Sequence, residues 1–206
     1  MRQLTHDVRN QLNGLELEAA LIADSLSDPE AMESLARIRE QLHHVAANLR
    51  TISARFADPM PTRAPIAAAD LFLIFQEQAA AMTDLPPIDW AHTLNGQQIN
   101  VDATEMADVA KELLANAREF CGGGRLEIRG RFDGGMVLYE FCEPKTAAIK
   151  TELWGHSPFC STKREHYGLG LWEARRLVEA NNGKITHEFK PGAKQHLLTT
   201  LSFPVV

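Results

Sequence analysis

The chain has 206 residues, 45% of them hydrophobic and 23% charged, a composition typical of folded proteins with one or two domains. Its 21 Lys and Arg against 27 Asp and Glu give a net charge of −6, which argues against nucleic acid as a partner. No apolar run reaches the length of a membrane span, and the N-terminal sequence MRQLTHDVRNQLN has no signal-peptide core. Three cysteines without a CxxC pair suit a reducing compartment, so we expect a cytoplasmic protein that has no structural zinc site and does not bind membranes.

The first 57 residues are patterned as a helical hairpin. Apolar residues recur there at intervals of three and four, which predicts two amphipathic helices joined by Ser27-Asp28-Pro29-Glu30. Ser or Asp there caps the second helix, and Pro suits its first turn. Because a lone hairpin buries little apolar surface, we expect a homodimer that forms a four-helix bundle; packing of the hairpin on its own C-terminal part is the alternative. The apolar seams comprise Leu4, Val8, Leu12, Leu15, Ala19, Ile22 and Leu26, then Met32, Leu35, Ile38, Leu42, Val45, Leu49, Ile52 and Phe56.

A proline-rich segment, residues 58–65 (DPMPTRAP), predicts a linker between the hairpin and residues 66–206. Beyond it, helix-like and strand-like patterns alternate, and Asp133-Gly134-Gly135 joins two alternating runs as a β-hairpin. We therefore expect an α+β unit with a mixed sheet covered by helices on one face. The expected helices span residues 67–82, 103–120 (opened by a capping box at Asp102–Glu105) and 170–182, and the expected strands span 88–94, 126–132, 136–142, 184–189 and 196–203.

The first helix carries a candidate phosphoryl acceptor, His6. Asn10 lies one helical turn further on the same face, and Asp7 is adjacent. A carboxylate beside an exposed imidazole favours one tautomer and takes the ring proton when the other nitrogen attacks. By this pattern alone, an ordinary surface histidine is the commoner case. The other histidines show no metal-ligand spacing and are expected to be surface or lid residues: His43, His44, His92, His156, His166, His187 and His196.

A second candidate site lies in residues 103–171. Glu112 and Asn116 share one face of the predicted helix amid apolar residues, where they need polar partners; a pair satisfied by water at the helix edge is the alternative. Gly168 and Gly170 precede the next helix, where glycine lets backbone amides approach a phosphate. The segment before them is Ser157-Pro-Phe-Cys-Ser-Thr-Lys163.

These segments resemble three motifs of bacterial two-component sensor histidine kinases. Residues 4–12 (LTHDVRNQL) are similar to the H-box, and the helix with Glu112 and Asn116 is similar to the N-box that these kinases share with the GHKL ATPases. Residues 157–171 and the following helix, which ends in Asn182-Gly-Lys-Ile185, resemble the ATP lid and glycine-rich run. In order and spacing the resemblance covers nearly the whole chain. It implies a dimerising hairpin over residues 1–57 and a GHKL (Bergerat) α/β sandwich over residues 66–206.

The resemblance also implies a role for each matching residue. His6 would carry the phosphoryl group, Asp7 would act as the base, and Asn10 would position water for dephosphorylation. Asn116 would bind the Mg²⁺ that bridges the ATP phosphates, with Glu112 on the same catalytic face. Glu143 stands where the family's Asp receives the adenine amino group. The remaining nucleotide-binding positions are Ser161, Thr162 and Lys163 of the lid and the glycines Gly168 and Gly170.

The sequence departs from the family pattern at the nucleotide site. Glu143, Lys145 and Ala147 replace an Asp-x-Gly-x-Gly, and Glu119 stands where Lys or Arg often faces the phosphates. Loss of one charged hydrogen bond costs about 1.5–3 kcal/mol, which is tenfold or more in affinity. Gln11 replaces the usual proline of the H-box and leaves the chemistry intact.

Three functions are therefore open. The first is a histidine phosphotransferase on a degenerate kinase scaffold, in which His6 passes phosphoryl groups between response-regulator receiver domains, including one of an upstream hybrid kinase. The second is an ATP- and Mg²⁺-dependent histidine autokinase with a divergent pocket, and the third is a non-catalytic pseudokinase. If Met1 is the natural start, no sensor precedes His6, which favours the phosphotransferase; a fragment of a longer protein would remove that argument.

Overall fold

A computed structural model describes residues 2–121, 123–159 and 168–206, except for the side chains of residues 2–6. The chain divides into two compact units, Met1–Asp58 and Pro59–Val206. The fold class predicted from the sequence, a helical hairpin followed by a mixed sheet with helices on one face, is confirmed.

The first unit is the helical hairpin, made of α1 (Arg2–Ser25) and α2 (Pro29–Arg55). The connection is built as the sequence predicts: the Asp28 carboxylate accepts a hydrogen bond from the backbone N–H of Ala31 at 3.3 Å, and Pro29 opens α2. Across the hairpin, Nε2 of His43 lies 3.0 Å from Oε1 of Glu16.

The apolar seams of the hairpin remain open to solvent within one chain. No residue of α2 is buried, and Ala19 is the buried residue among those described in α1. Large apolar side chains with about half or more of their surface exposed are Leu15, Leu17, Leu21, Ile22, Met32, Ile38 and Val45. These side chains form an apolar surface, in contrast to the single, scattered apolar residues that folded monomers normally expose.

The second unit is built on two sheets. A five-stranded sheet has the order β2-β4-β5-β7-β6, with β2 and β4 parallel and the other neighbours antiparallel, and β1 and β3 form a separate antiparallel pair. The strands are β1 (Ala64–Ala67), β2 (Ile88–His92), β3 (Gln98–Val101), β4 (Leu126–Asp133), β5 (Met136–Pro144), β6 (Lys184–Lys190) and β7 (His196–Pro204). The helices are α3 (Ala68–Ala80), α4 (Ala103–Phe120) and α5 (Gly170–Ala180).

The core lies between the three helices and one face of the large sheet. Along β5, Val137, Tyr139 and Phe141 are buried at every second position, as the period of a strand requires. The Tyr139 hydroxyl donates to the carbonyl oxygen of Ala68 at 2.8 Å, so its polar tip is satisfied in the core. Phe75 of α3 packs on the same ring with centroids 5.2 Å apart.

Three details differ from the sequence-based prediction. The linker is shorter than residues 58–65, because Ala64 and Pro65 already belong to β1 and pair with Val101 and Asn100. Strand β3 was not predicted, since four residues give too short an alternation to recognise. β2 ends at His92 rather than at residue 94.

The prediction that His187 is an ordinary surface or lid residue is wrong. It lies on the inward side of β6, where Nδ1 is 3.0 Å from the Thr199 hydroxyl and the ring packs against Trp154 at 5.8 Å between centroids. Burial, together with the positive charges of Arg175 and His156, lowers the pKa of His187 to about 4.

Candidate functional site

The H-box-like segment lies near the start of α1. The backbone of His6 is helical, and its side chain is outside the described part of the chain. Asp7 and Asn10 are exposed and three residues apart, so they are neighbours on the helix surface, while Val8 and Leu12 are half-buried on the seam. The helix therefore presents the predicted acid and amide on its solvent side, next to the position of His6.

Helix α4 carries the second group of predicted residues. Glu112 and Asn116 are half-buried and one turn apart, and each is followed by a buried residue, Leu113 and Ala117. Glu119, where the family often has a cation, is exposed near the end of α4.

The start of α5 lies against α4. Gly170 is the first residue of α5, and a Cβ there would overlap the carboxylate of Glu112, so a larger residue would require the Glu112 side chain to move. Gly168 has a positive φ of 63°, which also favours glycine. The fold thus places Glu112 of α4 beside Gly170 at the start of α5. Ser161, Thr162 and Lys163 of the predicted lid lie outside the described residues.

A buried ion pair occupies the end of β5. Glu143 continues the inward-facing series of Tyr139 and Phe141 and is 6% exposed. The ammonium of Lys145 contacts its carboxylate, and both side chains are almost fully buried, with 7% and 8% of their surface exposed. Burial raises the pKa of the Glu143 carboxyl, and the Lys145 contact offsets part of that rise.

Lys145 is held by the end of α4 as well. Its Nζ donates to the carbonyl oxygen of Phe120 at 3.0 Å and lies 5.9 Å from the centroid of the Phe120 ring. The neighbouring Cys121 thiol has its pKa raised by burial and by the Glu143 charge. One ammonium therefore satisfies the buried acid and a carbonyl at the C-terminal end of α4, where a cation is favoured by the helix dipole.

Sequence reasoning placed Lys145 here only as a bulky residue in a glycine position. The strand period puts residues 143 and 145 on one side, which would have suggested a contact between them. The contact with Phe120, 25 residues away, had no signal in the sequence. No sequence pattern indicated the hydrogen bonds that join Asp102 to Asn181 and to Thr62 either.

The nucleobase end of this site is occupied by a cation. Adenine recognition needs carboxylate oxygens that are open to N–H donors, whereas the Lys145 ammonium already contacts Oε1 of Glu143, and Glu143 as a whole is 6% exposed. This arrangement disfavours an adenine amino group at Glu143. At the phosphate end, the amide oxygen of Asn116 is a ligand type that Mg²⁺ accepts. Among the described residues, no group of three or more His, Cys, Asp and Glu side chains is arranged to hold a metal ion.

The sequence is similar to curated sensory histidine kinases. It is 26% identical over 210 residues to the sensory histidine kinase/phosphatase NtrB of Klebsiella oxytoca and to the protein of the same name from Salmonella typhimurium, in each case over 93% of this chain. The chain spans 58% of the length of these relatives. No family model matches the chain.

Solved structures share the fold. Full-length ShkA, crystallised in complex with AMPPNP, superposes with a TM-score of 0.60 at 19% identity over all of this chain and 45% of its own. The mycobacterial sensor histidine kinase MprB gives 0.56 at 16% identity over 70% of this chain and 98% of its own. The catalytic domain of the histidine kinase ThkA gives 0.54 at 21% identity over 69% of this chain and 95% of its own.

The second unit thus has the fold of histidine kinase catalytic domains. The resemblance of nearly the whole chain to two-component sensor histidine kinases is confirmed by the curated relatives, which match 93% of it. In the described part of the chain, none of the helices has the length and apolar character that crossing a membrane requires.

Proposed function

We propose that this protein is a histidine phosphotransferase of a two-component phosphorelay, built on a kinase scaffold whose nucleotide site is degenerate. The observation that carries the proposal is the buried Glu143–Lys145 ion pair. An ATP-dependent kinase needs the acid at this position to receive the adenine amino group, and here an internal cation holds it. A phosphotransferase needs only the histidine hairpin and uses the second unit for docking.

The proposed reaction moves one phosphoryl group between a receiver aspartate and His6. A ring nitrogen of His6 attacks the phosphorus of the aspartyl phosphate, the new P–N bond forms as the P–O bond breaks, and the electron pair leaves on the receiver carboxylate. Asp7 takes the proton from the other ring nitrogen, and Asn10 positions water where the phosphoryl group is hydrolysed. The reverse steps deliver the group to a second receiver, such as that of a response regulator, after loading from a hybrid kinase.

The partner of the hairpin in this proposal is a second copy of the chain. The exposed apolar side chains of α1 and α2 form the kind of seam that a four-helix bundle buries, and no residue of α2 is buried within one chain. The homodimer would place two copies of His6 in one bundle, each available to a receiver domain.

Transfer of label to the purified protein tests this function. A panel of response-regulator receiver domains is charged with radioactive acetyl phosphate, and acid-labile label on this protein is then measured. The wild-type protein should take up the label, and His6→Ala should lose all of it. The matched controls are His43→Ala and His44→Ala, since both residues lie on α2 of the same hairpin and should keep the label. Label that persists in His6→Ala would refute the assignment.

An ATP-dependent autokinase is the second candidate, because one observation favours it. Glu112 lies directly against Gly170, so the N-box-like helix and the glycine-rich start of α5 meet as they would around a triphosphate. ShkA, which shares the fold, was crystallised with the ATP analogue AMPPNP. Label that reaches His6 from Mg-ATP without any receiver domain would favour this candidate over the phosphotransferase.

A further inference from the structure

Asp102 uses its two carboxylate oxygens for different tasks. It is the N-cap of α4: Oδ1 accepts hydrogen bonds from the backbone N–H groups of Thr104 at 3.0 Å and Glu105 at 3.2 Å. Oδ2 accepts a third hydrogen bond, at 2.8 Å, from the backbone N–H of Thr62, which lies 40 residues earlier in the chain. The cap of α4 requires Oδ1 only, so Oδ2 serves the hydrogen bond from Thr62 alone.

A buried amide fixes the position of Asp102. The Asp102 N–H donates to Oδ1 of Asn181 at 2.7 Å, and Asn181 is 1% exposed at the end of α5. The Asn181 Nδ2 donates in turn to Oε2 of Glu105 at 2.7 Å and to the Leu177 carbonyl oxygen at 2.9 Å. Every polar atom of this amide is therefore paired, and the Asp102 carboxylate is held in place without help from Thr62.

The acceptor is also charged at neutral pH. Burial acts to raise the pKa of Asp102, but the three backbone donors of Thr62, Glu105 and Thr104 outweigh it and lower the pKa below its ordinary value. Hydrogen bonds to a charged acceptor are stronger than those between neutral groups. Thr62 thus binds a carboxylate that is both rigid and ionised.

We propose that Asp102 is a positioning residue that clamps the connection between the two units to the start of α4. Thr62 belongs to the proline-rich segment that precedes β1, and α2 ends at Arg55, so residues 56–61 connect the end of α2 to the clamp. Release of the clamp would lengthen this connection to the start of β1 at Ala64. The proposal does not depend on the proposed function.

Limited digestion of the intact protein by trypsin tests the clamp. Arg63 is exposed and follows Thr62 directly, so the rate of cleavage after Arg63 reports how often this segment leaves the surface. Asp102→Asn keeps one oxygen for the cap of α4 but presents an NH₂ group to Thr62. An NH₂ group cannot accept a hydrogen bond from the backbone N–H of Thr62. Loss of one such hydrogen bond should speed cleavage after Arg63 about fivefold.

Two controls separate the clamp from the cap. Asp28→Asn changes the N-cap of α2, which serves Ala31 alone, and should leave cleavage after Arg63 at the wild-type rate. Cleavage after Arg131 in β4 requires opening of the whole unit, so in the wild-type protein and in Asp102→Asn it should be far slower than cleavage after Arg63, whereas Asp102→Ala, which also loses the cap, should accelerate both sites more than Asp102→Asn does. A wild-type rate after Arg63 in Asp102→Asn, or cleavage after Arg63 that is no faster than cleavage after Arg131, would overturn the proposal.

Discussion

Substitution of Lys145 by methionine should destabilise the second unit in a strongly pH-dependent way. Glu143 would remain almost fully buried without its ammonium partner, so its pKa, already raised by burial above the ordinary 4.5, would rise further. The native state then binds more protons than the unfolded chain, and stability falls as the pH rises through that window. Protonation of Glu143 caps the cost at about 1.4 kcal/mol for each pH unit above its ordinary pKa.

The free energy of unfolding quantifies this effect. We expect Lys145→Met to cost about 2–3 kcal/mol at pH 7.5 and about 1 kcal/mol at pH 5, where the remaining loss reflects the hydrogen bond to Phe120. Urea unfolding followed by tryptophan fluorescence reports the second unit alone, because Trp90, Trp154 and Trp172 all lie within it.

A matched control has the same Glu-x-Lys spacing on the surface. Lys190 pairs with Glu188, and these side chains are 41% and 61% exposed, so Lys190→Met should cost less than about 0.5 kcal/mol at either pH. Equal losses for Lys145→Met at pH 5 and pH 7.5 would refute the argument, because they would show that the ammonium does not hold an ionised Glu143.

Substitutions in the pocket, the core and the hairpin should each have a distinct effect. Glu143→Asp combined with Lys145→Gly should raise the affinity for ATP by about tenfold or more in calorimetric titration, because the acid would regain free acceptor oxygens. Tyr139→Phe should cost about 1–2 kcal/mol in urea unfolding, since the buried carbonyl of Ala68 loses the hydroxyl donor that Tyr139 supplies. His187, whose pKa in the folded protein is about 4, binds fewer protons there than in the unfolded chain. The free energy of unfolding should therefore fall by up to about 3 kcal/mol as the pH drops from 7 to 4. His187→Leu should make the free energy of unfolding less dependent on pH over this range. Ile38→Glu places a charge on the exposed seam of α2 and should shift the protein from dimer to monomer in sedimentation velocity.

Periodicity and local chemistry predicted most of the elements because they act over a few residues. The alternation along β5 identified it as a strand, and the capping box at Asp102 located the start of α4. The Asp28-Pro29 pair likewise located the turn of the hairpin. These signals depend on side chains within one turn or one strand, which the sequence displays directly.

Contacts between distant residues could not be read from the sequence. The Asn181 amide accepts a hydrogen bond from Asp102, 79 residues away in sequence, and Lys145 donates one to Phe120, 25 residues away. No local sequence pattern predicts either contact. The short strand β3 was not predicted for a related reason: Gln98–Val101 forms a strand because it pairs with β1, and its own alternation is too short to indicate one. The burial of His187 depends on Trp154 and Arg175 from other parts of the chain.

Calorimetric titration of the intact protein with Mg-ATP shows whether an internal cation takes the place of the nucleotide base. A non-hydrolysable ATP analogue serves as a check that any heat comes from binding rather than from turnover. We expect no detectable heat at millimolar nucleotide for the wild-type protein, and binding by the Glu143→Asp, Lys145→Gly double variant. Binding of ATP to the wild-type protein at micromolar to low-millimolar concentration would contradict this expectation and favour the autokinase.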